Sequence, residues 1–282
     1  MCKRSEFKSI IRVIKEYDLR PKKSLSQNFL IDINLTEKIV HSLGDIKTHD
    51  ILEIGPGPGS LTLPLLKLGA RKVIAVEKDQ QFLAPLEELG NAYPKRLKVI
   101  NEDIFSIDVK KFLKPPIKII SNLPYNIGTK ILIEFMTADE WPPYWDSLTF
   151  MFQQEVADRI VSKPRLKSYG RLSIISQWRS RAKILFSINA NRFVPAPTIN
   201  SAVVQFLPNR EPIYRKKNSV LEDLLALTFG KRRKMLRHSL RSTHSNIENI
   251  LLKIGISPQS RPEELSVEDF CNLANALTYK KN

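Results

Sequence analysis

Apolar residues along this chain fall into two alternating rhythms. Unbroken runs at Ile51–Ile54, Lys72–Val76, Leu97–Ile100, Ile117–Ser121 and Leu148–Phe152 have strand length and little polar alternation, the pattern of strands buried on both faces. Between them, Leu35–Leu43, Ser60–Leu68, Gln80–Leu89, Gly128–Met136 and Gln153–Val161 carry helical spacing. Strand and helix in turn predict an α/β fold, a mainly parallel Rossmann-like sheet covered by helices on both faces. Two further runs, Lys183–Ile188 and Ser201–Leu207, lie close together with Pro195 and Pro197 between them. A hairpin there puts an antiparallel element at the sheet edge.

Near Pro208 the rhythm changes. Strand-like runs stop, and helical periodicity takes over at Val220–Phe229, Lys231–Arg241, Ile247–Ile254 and Val267–Leu277. Ser266, three residues before Asp269, resembles a capping box opening the last helix. A domain boundary is therefore expected at about Leu207, with one domain over residues 1–207 and a small all-helical domain over 208–282. The basic N-terminal segment also reads as helical.

Charge narrows the partners. The net charge is +16, and two stretches carry most of it. Met1–Lys23 holds eight Lys/Arg against three acids, and Pro208–His244 holds ten against three. Clustering of this kind favours a polyphosphate such as nucleic acid over an anionic membrane. There is no apolar stretch of bilayer length, and the first residues lack the apolar core of a secretory signal. Cys2 and Cys271 are too few for a disulfide framework or a metal cluster. His41, His49, His238 and His244 show no ligand spacing. The expectation is a cytoplasmic protein with no metal, no membrane association and no evident protein partner.

Candidate chemistry starts at Glu53-Ile54-Gly55-Pro56-Gly57-Pro58-Gly59, a glycine-rich turn between a strand and a helix. Glycines there let the backbone turn tightly and approach a ligand. Glu77 ends the next strand, where doubly wound folds reach the ribose hydroxyls of a nucleoside cofactor. The G-x-G-x-G spacing differs from the dinucleotide G-x-G-x-x-G, which argues against a nicotinamide dehydrogenase. Glu53 would repel a pyrophosphate but suits the cationic amino-acid end of S-adenosylmethionine; its bland alternative is a helix-facing or solvated acid. Asp103 ends a further strand, placed to accept from an adenine amine while Ile104 packs on the ring, or simply to cap a helix.

A second turn, Ser121-Asn122-Leu123-Pro124-Tyr125-Asn126-Ile127, follows the run Ile117–Ile120. The Asn122 side-chain oxygen and the Leu123 carbonyl form an acceptor pair for an exocyclic base amine, Pro124 stiffens the turn, and Tyr125 offers a face for stacking. Alone, this is equally an ordinary β-turn with a core tyrosine. Beside a cofactor loop it points to methyl transfer onto a base amine, a displacement catalysed by positioning and electrostatics. In the tail, Arg233, Arg237 and Arg241 recur every four residues. On a helix they would form a stripe able to grip RNA phosphates, or a solvated face. The loop Lys163–Tyr169 is a second candidate contact.

These residues resemble the rRNA adenine dimethylases. The resemblance rests on Ser24-Leu25-Ser26-Gln27-Asn28-Phe29-Leu30-Ile31-Asp32, Glu53–Thr62, Asn101–Phe105 and Asn122–Ile127. Tyr169–Ser173, Phe193-Val194-Pro195-Ala196-Pro197 and Arg261–Ser266 extend it, so that it spans roughly Leu19 to Leu277. It implies a Rossmann-like, S-adenosylmethionine-dependent methyltransferase acting on small-subunit rRNA within an immature small ribosomal subunit. The expected product is N6,N6-dimethyladenosine at two adjacent adenosines near the 3′ end. It further implies that Asn28 and Leu30 fold over the cofactor and that Gly55, Glu77, Asp103 and Asn122 contact it. Asn122 to Tyr125 would also receive the adenine, and Phe193 would stack on the target base unless it is an edge-strand core aromatic. Rival expectations are a large-subunit methylase of the erythromycin-resistance type, against which the Arg-Pro-Glu-Glu-Leu-Ser tail argues, and an RNA-binding assembly or transcription factor with secondary catalysis. Met1–Tyr17 has no role assignable from this pattern.

Overall fold

In the computed structural model, residues 9–22, 27–212, 218–241 and 245–278 are described. In chain order the elements begin with α1 (Ile10–Glu16), β1 (Phe29–Leu30), α2 (Ile33–His41), β2 (Asp50–Ile54), α3 (Thr62–Lys67) and β3 (Lys72–Val76). They continue with α4 (Leu83–Ala92), β4 (Leu97–Ile100), β5 (Ile117–Ser121), α5 (Tyr125–Thr137), β6 (Ser147–Gln153), α6 (Gln154–Ile160) and α7 (Arg171–Trp178). After them come β7 (Ser180–Ile188), β8 (Phe193–Val194), β9 (Ser201–Pro208), α8 (Asn218–Phe229), α9 (Leu236–Leu240), α10 (Ile247–Lys253) and α11 (Val267–Thr278).

Seven strands form one sheet in the order β4-β3-β2-β5-β6-β9-β7. The first five run parallel, and β9 returns antiparallel along β6 with Phe150 opposite Val204. Every residue of β2 is buried, the two acids Asp50 and Glu53 included, and Ile51, Leu52 and Ile54 give the stretch its apolar character. At its amino end Asp50 is satisfied by Arg71 Nε (2.8 Å) and by the Lys114 backbone N–H (2.7 Å). The chain leaves β2 toward β3 and β4 on one side and comes back to β5 on the other. The sheet therefore has its topological switch between β2 and β5, where open α/β sheets hold ligands beyond their carboxyl ends.

The strand bounds of β3, β4 and β5 fall where the apolar pattern placed them. Three elements were not anticipated. The antiparallel pair β1–β8, with Leu30 opposite Phe193, is too short for a periodicity signal, and α7 has an apolar sequence broken by serines. Within Lys231–Arg241, only Leu236–Leu240 is helical, which corrects the expected long basic helix. Lys231–Lys234 instead turn back, with the Lys234 N–H on the Lys231 carbonyl (2.8 Å), and Met235 is extended. Arg232 is drawn away from any helical row by Glu263 (2.6 Å) and the Lys167 carbonyl (3.0 Å). The Ser266–Asp269 capping box is formed, the Asp269 N–H donating to Ser266 Oγ at 3.0 Å and the Ser266 N–H to Asp269 Oδ2 at 2.8 Å.

By contact density the chain divides into two compact units, residues 1–129, 144–154 and 184–206 in one and 130–143, 155–183 and 207–282 in the other. The first has a core of Ile51, Leu65, Leu66, Val73, Ile120, Met151 and Val203, joined by Leu30 and Phe193 from the β1–β8 pair. In the second, α7 and α8 pack on α11, and the Phe229 ring meets Tyr169 edge-on and Phe270 at a tilt. No helix among the described residues is long and apolar enough to cross a membrane.

Candidate active site

The acids and turns singled out in the first unit sit at or just beyond the carboxyl ends of β4, β3, β2 and β5, because those strands are parallel and in register. Glu53 pairs across with Ala75 and Ile120, and Ile54 with Val76 and Ser121. The two turns that follow β2 and β5 are thus neighbours. Ser121 Oγ donates to the Ile54 carbonyl at 2.6 Å and locks the strand ends together. Gly55 holds a φ of +66°, and a Cβ built on it would lie 2.9 Å from Leu123 Cδ2. Glycine is required twice over, for the left-handed backbone and for the closeness of the second turn. Gly57 also has positive φ (+55°), but its missing Cβ faces open space.

Glu53 is 1 % exposed and its Oε2 has no hydrogen-bond partner. Burial pushes its carboxyl up to about 8, and the nearby Glu77 charge adds to the rise, while Thr62 opposes it. Glu77, also buried, is better satisfied: Oε2 accepts from the Gly57 N–H (3.0 Å) and Oε1 from the Asp79 N–H (2.8 Å). Burial still holds its pKa above the ordinary value against those bonds. Each oxygen keeps a lone pair that a ligand hydroxyl can use.

Asn101 ties the β3 and β4 ends together by donating to the Glu77 carbonyl at 2.8 Å. Asp103 follows, accepting from the Phe105 N–H (3.1 Å) and from Lys78 Nζ (2.8 Å). Asp103 thus closes a turn rather than capping a helix, since none follows it directly, and Lys78 is a neighbour that the sequence did not suggest. Ile104 is partly buried beside it. Asn122, Leu123 and Pro124 are partly buried, and the Pro124 carbonyl accepts from the Ile127 and Gly128 N–H groups as α5 begins. Tyr125 starts that helix, but its side chain, like Lys23–Ser26 of the earlier motif, residues 1–8 and His244, lies outside the described residues.

Two expectations need correction. Phe193 is 3 % exposed and packs in the core with Leu30, so its ring presents no face for stacking on a base. It is the neighbouring Val194, 43 % exposed, that faces outward. Arg233, Arg237 and Arg241 do not form one helical stripe: Arg233 lies in the preceding turn and Arg241 caps the helix. Arg233 and Arg241 are exposed, whereas Arg237 is half-buried with its Nε unpartnered. In the same unit, Arg232 and the Arg165 N–H both bond Glu263, so the loop Lys163–Tyr169 and the turn Lys231–Lys234 are joined. Sequence reasoning also passed over Asp79, Lys22 and Gln27, whose partners are more than fifty residues away.

Sheet order, glycine turn and trailing acid together define the class, a Rossmann-like methyltransferase fold. A family model for ribosomal RNA adenine dimethylases matches residues 19–279. The chain belongs to that family. It is 51% identical to "Ribosomal RNA small subunit methyltransferase A" of a Ruegeria species, over 94% of this chain and 95% of the relative, and 50% identical to the same-named protein of Paracoccus denitrificans over 94% of each. Among solved structures, a dimethyladenosine transferase from Plasmodium falciparum superposes with a TM-score of 0.74 at 21% identity, covering 88% of this chain and 97% of that one. The 23S rRNA methyltransferase ErmE gives 0.65 at 23% identity, covering 89% and 99%. At such identities the two structures speak to the fold alone.

Two outcomes follow from this geometry. Gly55→Ala should cost about 2–4 kcal/mol, combining left-handed strain with overpacking against Leu123, and Gly57→Ala only about 1–2 kcal/mol; urea unfolding of both variants tests the order. Glu53 has an ordinary pKa of 4.5 when unfolded and about 8 when folded, so the folded state retains a proton that the unfolded state loses. Stability should therefore fall between those values by up to about 1.4 kcal/mol per pH unit, and Glu53→Gln should remove that slope. Parallel pH–stability curves for wild type and variant would mean that Glu53 is ionised when folded.

Proposed function

We propose that the chain transfers methyl groups to N6 of two adjacent adenosines near the 3′ end of small-subunit rRNA, in an immature small ribosomal subunit and in the cytoplasm. The observation that supports this reading is the close approach of Gly55 to Leu123, which sets a nucleoside-binding turn against an amine-holding turn. The name carried by relatives of about half identity favours the small subunit over the large-subunit alternative.

The residues present fit S-adenosylmethionine. Glu53 offers a buried, unpartnered oxygen to a cationic group, and the space before Gly57 admits a ligand close to backbone. Glu77 would take the ribose hydroxyls, Asp103 the adenine amine, Ile104 the ring face, and Asn28 and Leu30 belong to the covering segment. When bound, this cofactor supplies a sulfonium methyl whose leaving group is a neutral thioether.

The protein's own work is on the base. An adenine amine is a poor nucleophile because its lone pair is delocalised into the ring. The Asn122 oxygen and the Leu123 carbonyl accept hydrogen bonds from its N–H groups and turn the lone pair out of the ring plane, while Pro124 holds the turn and Tyr125 stacks on the base. A neutral amide acceptor still tolerates the amine after the first methyl has replaced a hydrogen. Exposed Arg233 and Arg241, half-buried Arg237 and the joined basic loops of the helical segment would hold rRNA phosphates without reading bases.

Asn122→Ala should lower methyl transfer by at least about a hundredfold with an unchanged circular dichroism spectrum. The assay uses labelled methyl donor, under-methylated small subunits and mapping of the label. Retained turnover would remove Asn122 from the chemistry, and label confined to the large subunit would overturn the substrate.

A further inference from the structure

The turn that carries Glu77 continues into Asp79, a 9 % exposed carboxylate that gathers more polar contacts than any role in a nucleoside site requires. Its Oδ1 accepts from Lys22 Nζ (2.9 Å) and the Gln81 N–H (3.3 Å), and its Oδ2 from Gln27 Nε2 (3.1 Å) and Gln81 Nε2 (2.8 Å). The two glutamines reach onward. Gln27 Oε1 accepts from the Lys22 N–H (2.9 Å), and Gln81 Oε1 from the Arg20 N–H (3.2 Å). Asp79 thus grips the segment leading into β1 from both sides, while its own N–H holds Glu77 Oε1.

An apolar contact backs this polar one. Leu19 and Phe29, on either side of Lys22 and Gln27, pack with Phe82 and Leu86, the Phe29 and Phe82 rings meeting edge-on at 5.6 Å. Burial alone would raise the Asp79 carboxyl, but Lys22, Gln27 and Gln81 outweigh it and hold its pKa below the ordinary value, as expected of a permanently ionised acceptor.

We propose that Asp79 is a positioning residue for the cofactor, latching the segment that carries Asn28 and Leu30 onto the turn that carries Glu77. This rests on the reading of those three residues as cofactor contacts. A ligand held between Glu77 and Asn28 needs both sides at a fixed separation, and Asp79 is bonded to both. Gln27, next to Asn28, is then held in place before binding, and its ordering is not charged against it.

Asp79→Asn tests this with little change of volume, since it puts an amide donor where Gln27 and Gln81 also donate. Gln27→Ala is the companion, breaking the segment side while leaving the Gln81 and Glu77 bonds in place. In Asp79→Asn, hydrogen exchange at the Lys22 and Arg20 amides should accelerate because their glutamine acceptors lose their anchor, and in Gln27→Ala exchange at Lys22 accelerates because its acceptor is gone, which sets the upper limit for the effect. Affinity for S-adenosylhomocysteine by calorimetry should weaken about tenfold, with the loss in assays falling on the cofactor's KM rather than on kcat. Exchange unchanged from wild type, or affinity within twofold in both variants, would overturn the latch. Failure of the wild-type chain to bind S-adenosylhomocysteine would instead strike the cofactor reading, and the exchange comparison would still decide whether Asp79 holds the segment.

Discussion

The parallel pairing of β2 with β5 is the constraint from which the site follows. Its register puts Ile54 beside Ser121, so the turns leaving the two strands emerge side by side at the sheet's switch point. Gly55 and Leu123 then lie so close that a side chain at the glycine would have to displace Leu123, besides adopting a left-handed backbone. Neither turn has much chemistry by itself. In this register Ser121 shares a face with Ile54 and Glu53 with Ile120; a slip of the pairing by one residue would exchange those faces along β5 and take the glycine turn away from Asn122.

Around that junction the protein stores unfavourable electrostatics. Glu53, Glu77 and Asp79 lie at or just beyond the ends of β2 and β3, all nearly buried, and among the described residues only Asp79 has an ion-pair partner, Lys22. Glu77 relies on backbone N–H groups, and Glu53 resolves its isolation by keeping a proton into mildly alkaline pH. Such groups lower stability without a ligand and become favourable when a cation or a hydroxyl arrives, which is the usual signature of a binding site rather than of a core.

The sheet was legible because buried parallel strands leave uninterrupted apolar runs, and β3, β4 and β5 were bounded to the residue. The placement of Gly55, Glu77 and Asp103 just after strand ends was legible because that spacing is local. What escaped was set by partners distant in sequence. Four-residue spacing of arginines cannot reveal that Glu263 captures Arg232 and that Lys231–Lys234 form a turn, with the helix beginning only at Leu236. An aromatic flanking prolines cannot show which way it faces, and Phe193 turns inward because β8 pairs with β1. The Asp79 cluster was hidden for the same reason, since Gln27 is fifty-two residues away along the chain.

The most direct test is a crystal structure of the chain with S-adenosylhomocysteine. The ribose hydroxyls should lie on the Glu77 carboxylate, the adenine amine at Asp103, and the sulfur should look toward Asn122 and the Leu123 carbonyl. Ligand bound away from the ends of β2 and β5, or bound there with Asn122 on the far side from sulfur, would contradict the view that methyl donor and base meet at that junction.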